Sequence, residues 1–104
     1  MDDASHDLGL SSTVEDDTTV IAVLGEIDLD TVPRLRDAVD AAIAGGSNRL
    51  VFDLSQVEFM DSSGISLILA TRSAGTDIVL RNPTHAVLRL IEATGLTDVL
   101  QVEP

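Results

Sequence analysis

LVFDLSQVEFMDSSGISLIL, residues 50–69, is the stretch on which the fold turns. Arg49 to Leu54 is a short apolar run of the kind that forms a buried strand. Ser55 to Asp61 (SQVEFMD) reads as a loop. Ser63 to Arg72 is apolar enough to be a largely buried helix, opened by the polar residues Asp61-Ser62-Ser63-Gly64. A strand leading into a helix, with further strands on either side, implies parallel pairs and right-handed crossovers.

Upstream, Thr18 to Leu24 (TTVIAVL) is a β-branched strand with Gly25 at its end. Leu8 to Val14 is a weaker strand, and the polar turn Glu15-Asp16-Asp17 between the two is short enough to force antiparallel pairing. In DTVPRLRDAVDAAIAGG, Leu35, Ala38, Val39, Ala42 and Ile43 recur at helical spacing. Asp30 or Thr31 can cap this helix, Pro33 suits its first turn, and Gly45-Gly46 ends it. Downstream, Asp77 to Leu80 is a strand, and Asn82-Pro83 opens a helix whose Val87, Leu88 and Ile91 face inward. Gly95 stops that helix, with Leu96 packing back as in a Schellman cap, and Asp98 to Val102 supplies a last short strand. The expected fold is α/β: a mixed sheet of four or five strands, the first antiparallel, with helices mainly on one face. The whole chain, 1–104, reads as one domain in which residues 1–7 form a flexible N-terminal tail.

Composition narrows function. The chain has 104 residues, no cysteine and only 2% aromatic residues, so its core is aliphatic and disulfide or thiolate chemistry is excluded. His6 and His85 stand far apart without ligand neighbours, so no metal site is expected. The net charge of -12, with arginine supplying all six basic residues, repels nucleic acid and anionic membranes. No apolar run reaches the roughly 20 residues of a bilayer span, and the acidic N-terminus is unlike a secretory signal. A cytoplasmic protein without membrane or nucleic-acid partners is expected.

The chemistry concentrates at Asp61-Ser62-Ser63-Gly64. Serine and aspartate oxygens satisfy the free amides of a helix N-terminus, so a plain cap accounts for one of them. Two serines and a glycine ask for more. Gly64 in the first turn costs roughly 1 kcal/mol against alanine, and a partner approaching the backbone would explain it. A phosphate on serine is also compatible with this position, facing free amides and the positive end of the helix dipole. On the residues alone, cap and phosphorylation site both remain open.

FMDSSGISLIL resembles the phosphorylation motif of anti-sigma factor antagonists in the STAS family. GEIDLDTVPRLRDAV is similar to that family's Gly-Glu-apolar-Asp turn before its first long helix. LVFDLSQVEFMD matches its third strand and following loop, and ATGLTDVL its Ser/Thr-Gly-Leu ending. The similarity runs from Leu8 to Val102 with the elements in the family's order. It implies that Ser62, directly after Asp61, is the phosphate acceptor, with Ser63 a secondary candidate. It places Glu26, Asp28, Asp61, Ser62, Ser63 and Gly64 at the partner-binding surface, although turn and cap chemistry would also account for the carboxylates. The implied mechanism is partner switching. Unphosphorylated, the protein binds an anti-sigma factor that is also a GHKL-type serine kinase, and a sigma factor is released. Phosphorylation of Ser62 reverses this, and a PP2C-type serine phosphatase resets it. ATP and its metal belong to the kinase, so no cofactor is expected here.

Three other functions compete with this reading. A receiver domain with Asp53 as acceptor needs a late lysine, and the chain has none. A serine hydrolase needs the G-x-S-x-G elbow and a placed histidine, which DSSG, His6 and His85 do not supply, so no enzyme is expected. A stand-alone STAS subunit of a stress-signalling or phospholipid-transport complex would use the same surface for permanent docking, and is the alternative.

Overall fold

Burial alternates along Thr18–Ile27 (β2): Thr19, Ile21 and Val23 are buried, while Thr18, Val20 and Ala22 are half-buried. That period of two belongs to a strand with one face against a core. In the computed structural model, which describes Leu8 to Pro104, this strand lies between Leu8–Glu15 (β1) and Arg49–Met60 (β3). The expected tail, residues 1–7, falls outside the described residues. The remaining elements are Val32–Ala44 (α1), Ser62–Ser73 (α2), Asp77–Arg81 (β4), His85–Ala93 (α3) and Gln101–Glu103 (β5). Strand order follows the chain, β1-β2-β3-β4-β5, with β1 antiparallel to β2 and every later pair parallel. The α/β class, the strand number and the antiparallel first strand are therefore as expected.

All three helices bury into one core. Val32, Leu35 and Val39 of α1, Ile65, Leu67 and Ile68 of α2, and Val87 and Ile91 of α3 join Leu50, Phe52, Leu54, Ile78 and Leu80 in a single cluster. Leu88, expected inward, is only half-buried. Asp16, in the β1–β2 turn, takes a positive φ of 57°, a conformation that Asp tolerates better than most residues. At the end of α3 the Leu96 amide reaches the Ile91 carbonyl and the Gly95 amide that of Glu92, with Gly95 at φ 74°: the expected Schellman ending.

The sequence expectation failed along β3. The strand does not end at Leu54 but runs through the predicted loop to Met60. Its pairing with β2 shifts twice, between Ala22 and Leu24 and between Gly25 and Glu26, and each time β3 carries one extra residue. The core-facing side chains are consequently Leu50, Phe52 and Leu54, then Val57, then Met60, a spacing that slips from two to three. Asp53 secures the first bulge, accepting hydrogen bonds from the Ser55 amide at 3.1 Å and the Ser55 hydroxyl at 2.8 Å. Gly25 likewise does not end β2; it sits inside the strand at φ 109°, beside the second shift, where a side chain would be strained. The last strand is shorter than expected, because Leu96 to Leu100 makes a turn first.

Candidate functional site

The bulged half of β3 carries its end beyond β4, which pairs only with Arg49 to Asp53. At that end the β3–α2 junction lies beside the β2–α1 turn, since Phe59 pairs with Glu26 and Met60 with Ile27. The Asp61 amide donates to the Ile27 carbonyl at 3.0 Å and ties the two together. Carboxyl ends of parallel strands are the usual location of binding sites in open α/β sheets.

The β2–α1 turn is built by Asp28 and Thr31. Asp28 Oδ1 accepts from the amides of Asp30 and Thr31, both at 3.0 Å. Buried Thr31 donates its hydroxyl to the Glu26 carbonyl at 2.8 Å and accepts from the Asp28 amide at 2.9 Å. Thr31 occupies the cap position, one of the two the sequence offered, without a side-chain cap hydrogen bond, and its hydroxyl together with Asp28 Oδ1 organises the turn that starts α1. Glu26 is half-buried at the end of β2. The turn presents Leu29 to solvent, 75% exposed.

At α2 the division of labour is sharper. Asp61 is the N-cap: Oδ1 accepts from the Ser63 amide at 2.9 Å and from the Ser63 hydroxyl, and its carbonyl accepts from the Gly64 amide at 3.1 Å. Ser63 is half-buried with its hydroxyl engaged. Ser62, the first residue of the helix, is exposed, and its hydroxyl makes no hydrogen bond among the described residues. Two details depart from the sequence expectation. Of the first-turn amides that a phosphate was expected to find free, those of Ser63 and Gly64 are occupied by Asp61. Gly64, which was expected to accommodate a partner, is buried for an internal reason: a Cβ there would meet Met60 Cγ at 2.8 Å and Ile27 Cγ2 at 2.9 Å.

Two apolar side chains absent from the expected site flank it. Leu29 is one; Phe59, 47% exposed, is the other. Leu29 stands among charged residues in EIDLD, off any core stripe, and that isolation was the available signal. Phe59 also borders an open cleft of about 590 Å³ between β3 and α3, with Leu90 on its wall and His85 and Arg89 supplying its basic groups. Among the described residues no group of three His, Asp or Glu side chains is arranged to hold a metal. No helix among them is long and apolar enough to cross a membrane.

A family model described as "Mlab, STAS domain" matches residues 11–102. An anti-sigma-B factor antagonist of Listeria monocytogenes is 31% identical over 87 residues, covering 80% of this chain and 76% of that protein. Among solved structures, an anti-sigma factor antagonist from Mycobacterium paratuberculosis superposes with a TM-score of 0.84 at 33% identity, covering 94% of this chain and 86% of the other. The Bacillus cell fate determinant SpoIIAA in its phosphorylated form gives a TM-score of 0.67 at 25% identity, with coverage of 92% and 90%.

Proposed function

We propose, proceeding from the fact that this chain belongs to the STAS domain family, that it is an anti-sigma factor antagonist switched by phosphorylation of Ser62. The observation that carries the reading is the contrast between two adjacent serines. Asp61 engages both the amide and the hydroxyl of Ser63, while the hydroxyl of Ser62 is exposed and unengaged. A kinase approaching this edge meets one reactive oxygen. Names of the similar proteins support the class of function, and the phosphorylated form of SpoIIAA shows that this fold accepts phosphate in a relative.

The partner is an anti-sigma factor with GHKL-type serine kinase activity. It docks on the surface formed by the β2–α1 turn and the start of α2, with Glu26, Asp28, Asp61, Ser62 and Ser63 at its polar centre. Gly64 contributes through its backbone and by letting α2 pack close to Met60. Leu29 and Phe59 add apolar area. In the transfer, Ser62 Oγ forms a bond to the γ-phosphorus of the kinase's ATP, the bond to ADP breaks, and the hydroxyl proton passes to a base on the kinase. The phosphoserine brings about -1.5 to -2 charge next to the Asp61 carboxylate, so the complex must desolvate two crowded anions where it previously met a hydroxyl. A PP2C-type phosphatase restores the hydroxyl. This protein performs no catalysis in the cycle.

The alternative is a stand-alone docking subunit of a stress-signalling or phospholipid-transport complex. It uses the same surface without phosphate, and the exposed apolar side chains of Leu29 and Phe59 beside that surface suit permanent docking. Incubation with candidate anti-sigma kinases and ATP, followed by mapping of phosphate by mass spectrometry, tests the switch. One phosphate on Ser62, abolished by Ser62→Ala, is the expected result. Stable kinase binding that is unchanged by stoichiometric phosphorylation of Ser62 would sink it.

A further inference from the structure

The two edges of the sheet are unlike. β5 is three residues long, its Glu103 is ion-paired to Arg81 at 2.8 Å, and Pro104 follows directly. Shortness, charge and proline are the usual means of blunting an edge. β1 is neither short nor interrupted by proline, and its one charge, Glu15, stands at its last residue. It is eight residues long and pairs with β2 in uninterrupted register from Leu8↔Gly25 to Glu15↔Thr18, with no bulge. Leu8 to Val14 contains no proline and no charge, in a chain whose net charge is -12. Among the described residues no element pairs with its outer side.

We propose that β1 is a self-association edge, and that two copies of this chain pair antiparallel through Leu8–Val14 into one continuous sheet. The unpaired main-chain groups of an edge accept only another extended strand. A second copy is the strand that this edge fits, because the segment is self-complementary. In any antiparallel ladder, outward-directed backbone groups must face outward-directed groups, and these recur at every second residue. Even-numbered residues of β1 therefore oppose even-numbered residues of the partner strand. Leu8, Leu10, Ser12 and Val14 lie on the core side of the sheet, because they pair directly with Gly25, Val23, Ile21 and Thr19 of β2. The helices of both copies then lie on one face, and the two cores become neighbours.

The register that centres the strand on a two-fold axis sets Ser11 opposite Ser11, Leu10 opposite Ser12 and Leu8 opposite Val14. Val14 is 68% exposed in the single chain, at the rim of a shallow groove floored by Ala38, Ala41 and Ala42 of α1. Those short side chains leave the layer under the outer half of β1 unfilled. The partner strand brings Leu8 and Leu10 up to this rim and covers Val14. The contact is isologous and consumes the one unblunted edge, so it closes as a dimer and does not extend into a fibre. Because the strands run in opposite directions, the two Ser62 ends point away from each other, and both stay accessible. The pairing is independent of whether Ser62 is phosphorylated by any kinase.

Like charge opposes the pairing everywhere except along this uncharged strip, so added salt should strengthen it. Sedimentation equilibrium from micromolar to millimolar protein, at low and high salt, should show a monomer–dimer equilibrium that tightens with ionic strength. Ser11→Lys lowers the net negative charge yet sets two ammonium groups face to face at the axis. It should weaken dimerisation about tenfold or more, with an unchanged circular dichroism spectrum. The chain has no cysteine, so Ser11→Cys should cross-link oxidatively into a dimer, whereas Thr13→Cys, which faces Gly9, should not. A monomer at every concentration and salt would overturn the proposal. So would a dimer that survives Ser11→Lys and fails to cross-link through Ser11→Cys.

Discussion

Asp61 holds its neighbour Ser63 by two hydrogen bonds and leaves Ser62 alone, so single substitutions should separate capping from switching. Asp61→Ala removes the cap and should cost about 1 kcal/mol of stability, measurable by urea denaturation. Ser62→Ala should leave stability unchanged, retain partner binding and accept no phosphate. Ser62→Asp should fold normally but bind an anti-sigma partner about 100-fold more weakly, a penalty of about 3 kcal/mol read by calorimetric titration. Gly64→Ala is the internal control. Alanine is the better helix former by roughly 1 kcal/mol, but its methyl group would press on Ile27, a β-branched side chain with little freedom to yield. A net destabilisation of about 1 kcal/mol or more is expected from a thermal melt. The four residues Asp61 to Gly64 were legible in the sequence as a polar opening to an apolar helix. What was not legible is which oxygen Asp61 engages, and that Gly64 is small because Met60 and Ile27 stand against it. Both are facts of packing between segments distant in the chain.

At the scale of elements, the helices were the readable part. The stripe Leu35, Ala38, Val39, Ala42 and Ile43 placed α1 in register: Leu35 and Val39 are fully buried, although Ile43, at the far end of the helix, is exposed. Val39→Asp would put an unpaired carboxylate into the aliphatic cluster, at a cost of several kcal/mol; the expected outcome is a chain unfolded or strongly destabilised by chemical denaturation. The second half of β3 was unreadable for a definite reason. Strand recognition relies on a period of two, and two bulges in seven residues replace it by Leu54, Val57, Met60, a spacing closer to a helix than to a strand. The free flank of this half-strand is closed by α3, whose cap residue Thr84 donates its hydroxyl to the Val57 carbonyl at 2.8 Å. Thr84→Val should therefore loosen β3 near the acceptor. Faster amide hydrogen exchange at Val57 to Met60, with protection of β4 retained, is the expected signature.

Across the whole molecule, the acidic surface and the absence of tryptophan and tyrosine were plain from composition. Apart from Leu29, which its charged neighbours single out, the uncharged exposed positions were not, because Phe59 and Val14 are left outside the core only by how the sheet packs. If phosphate acts at the interface, the domain should keep its architecture when Ser62 is modified. Hydrogen exchange should then change only around Phe59 to Leu69, and the melting temperature should move little. Loss of protection across β1, β2 or α1 would mean that the phosphate reshapes the domain.

The doubled bulge in β3 has a consequence for how such a protein can diverge. Leu54, Val57 and Met60 anchor the strand to the core, and the residues between them carry no core side chain. A single insertion or deletion between two anchors can be absorbed as a bulge gained or lost, which leaves Met60, and Ser62 two residues after it, in place. The position of the acceptor is thus buffered against one-codon changes of length in the strand that leads to it, without any compensating change in the interior.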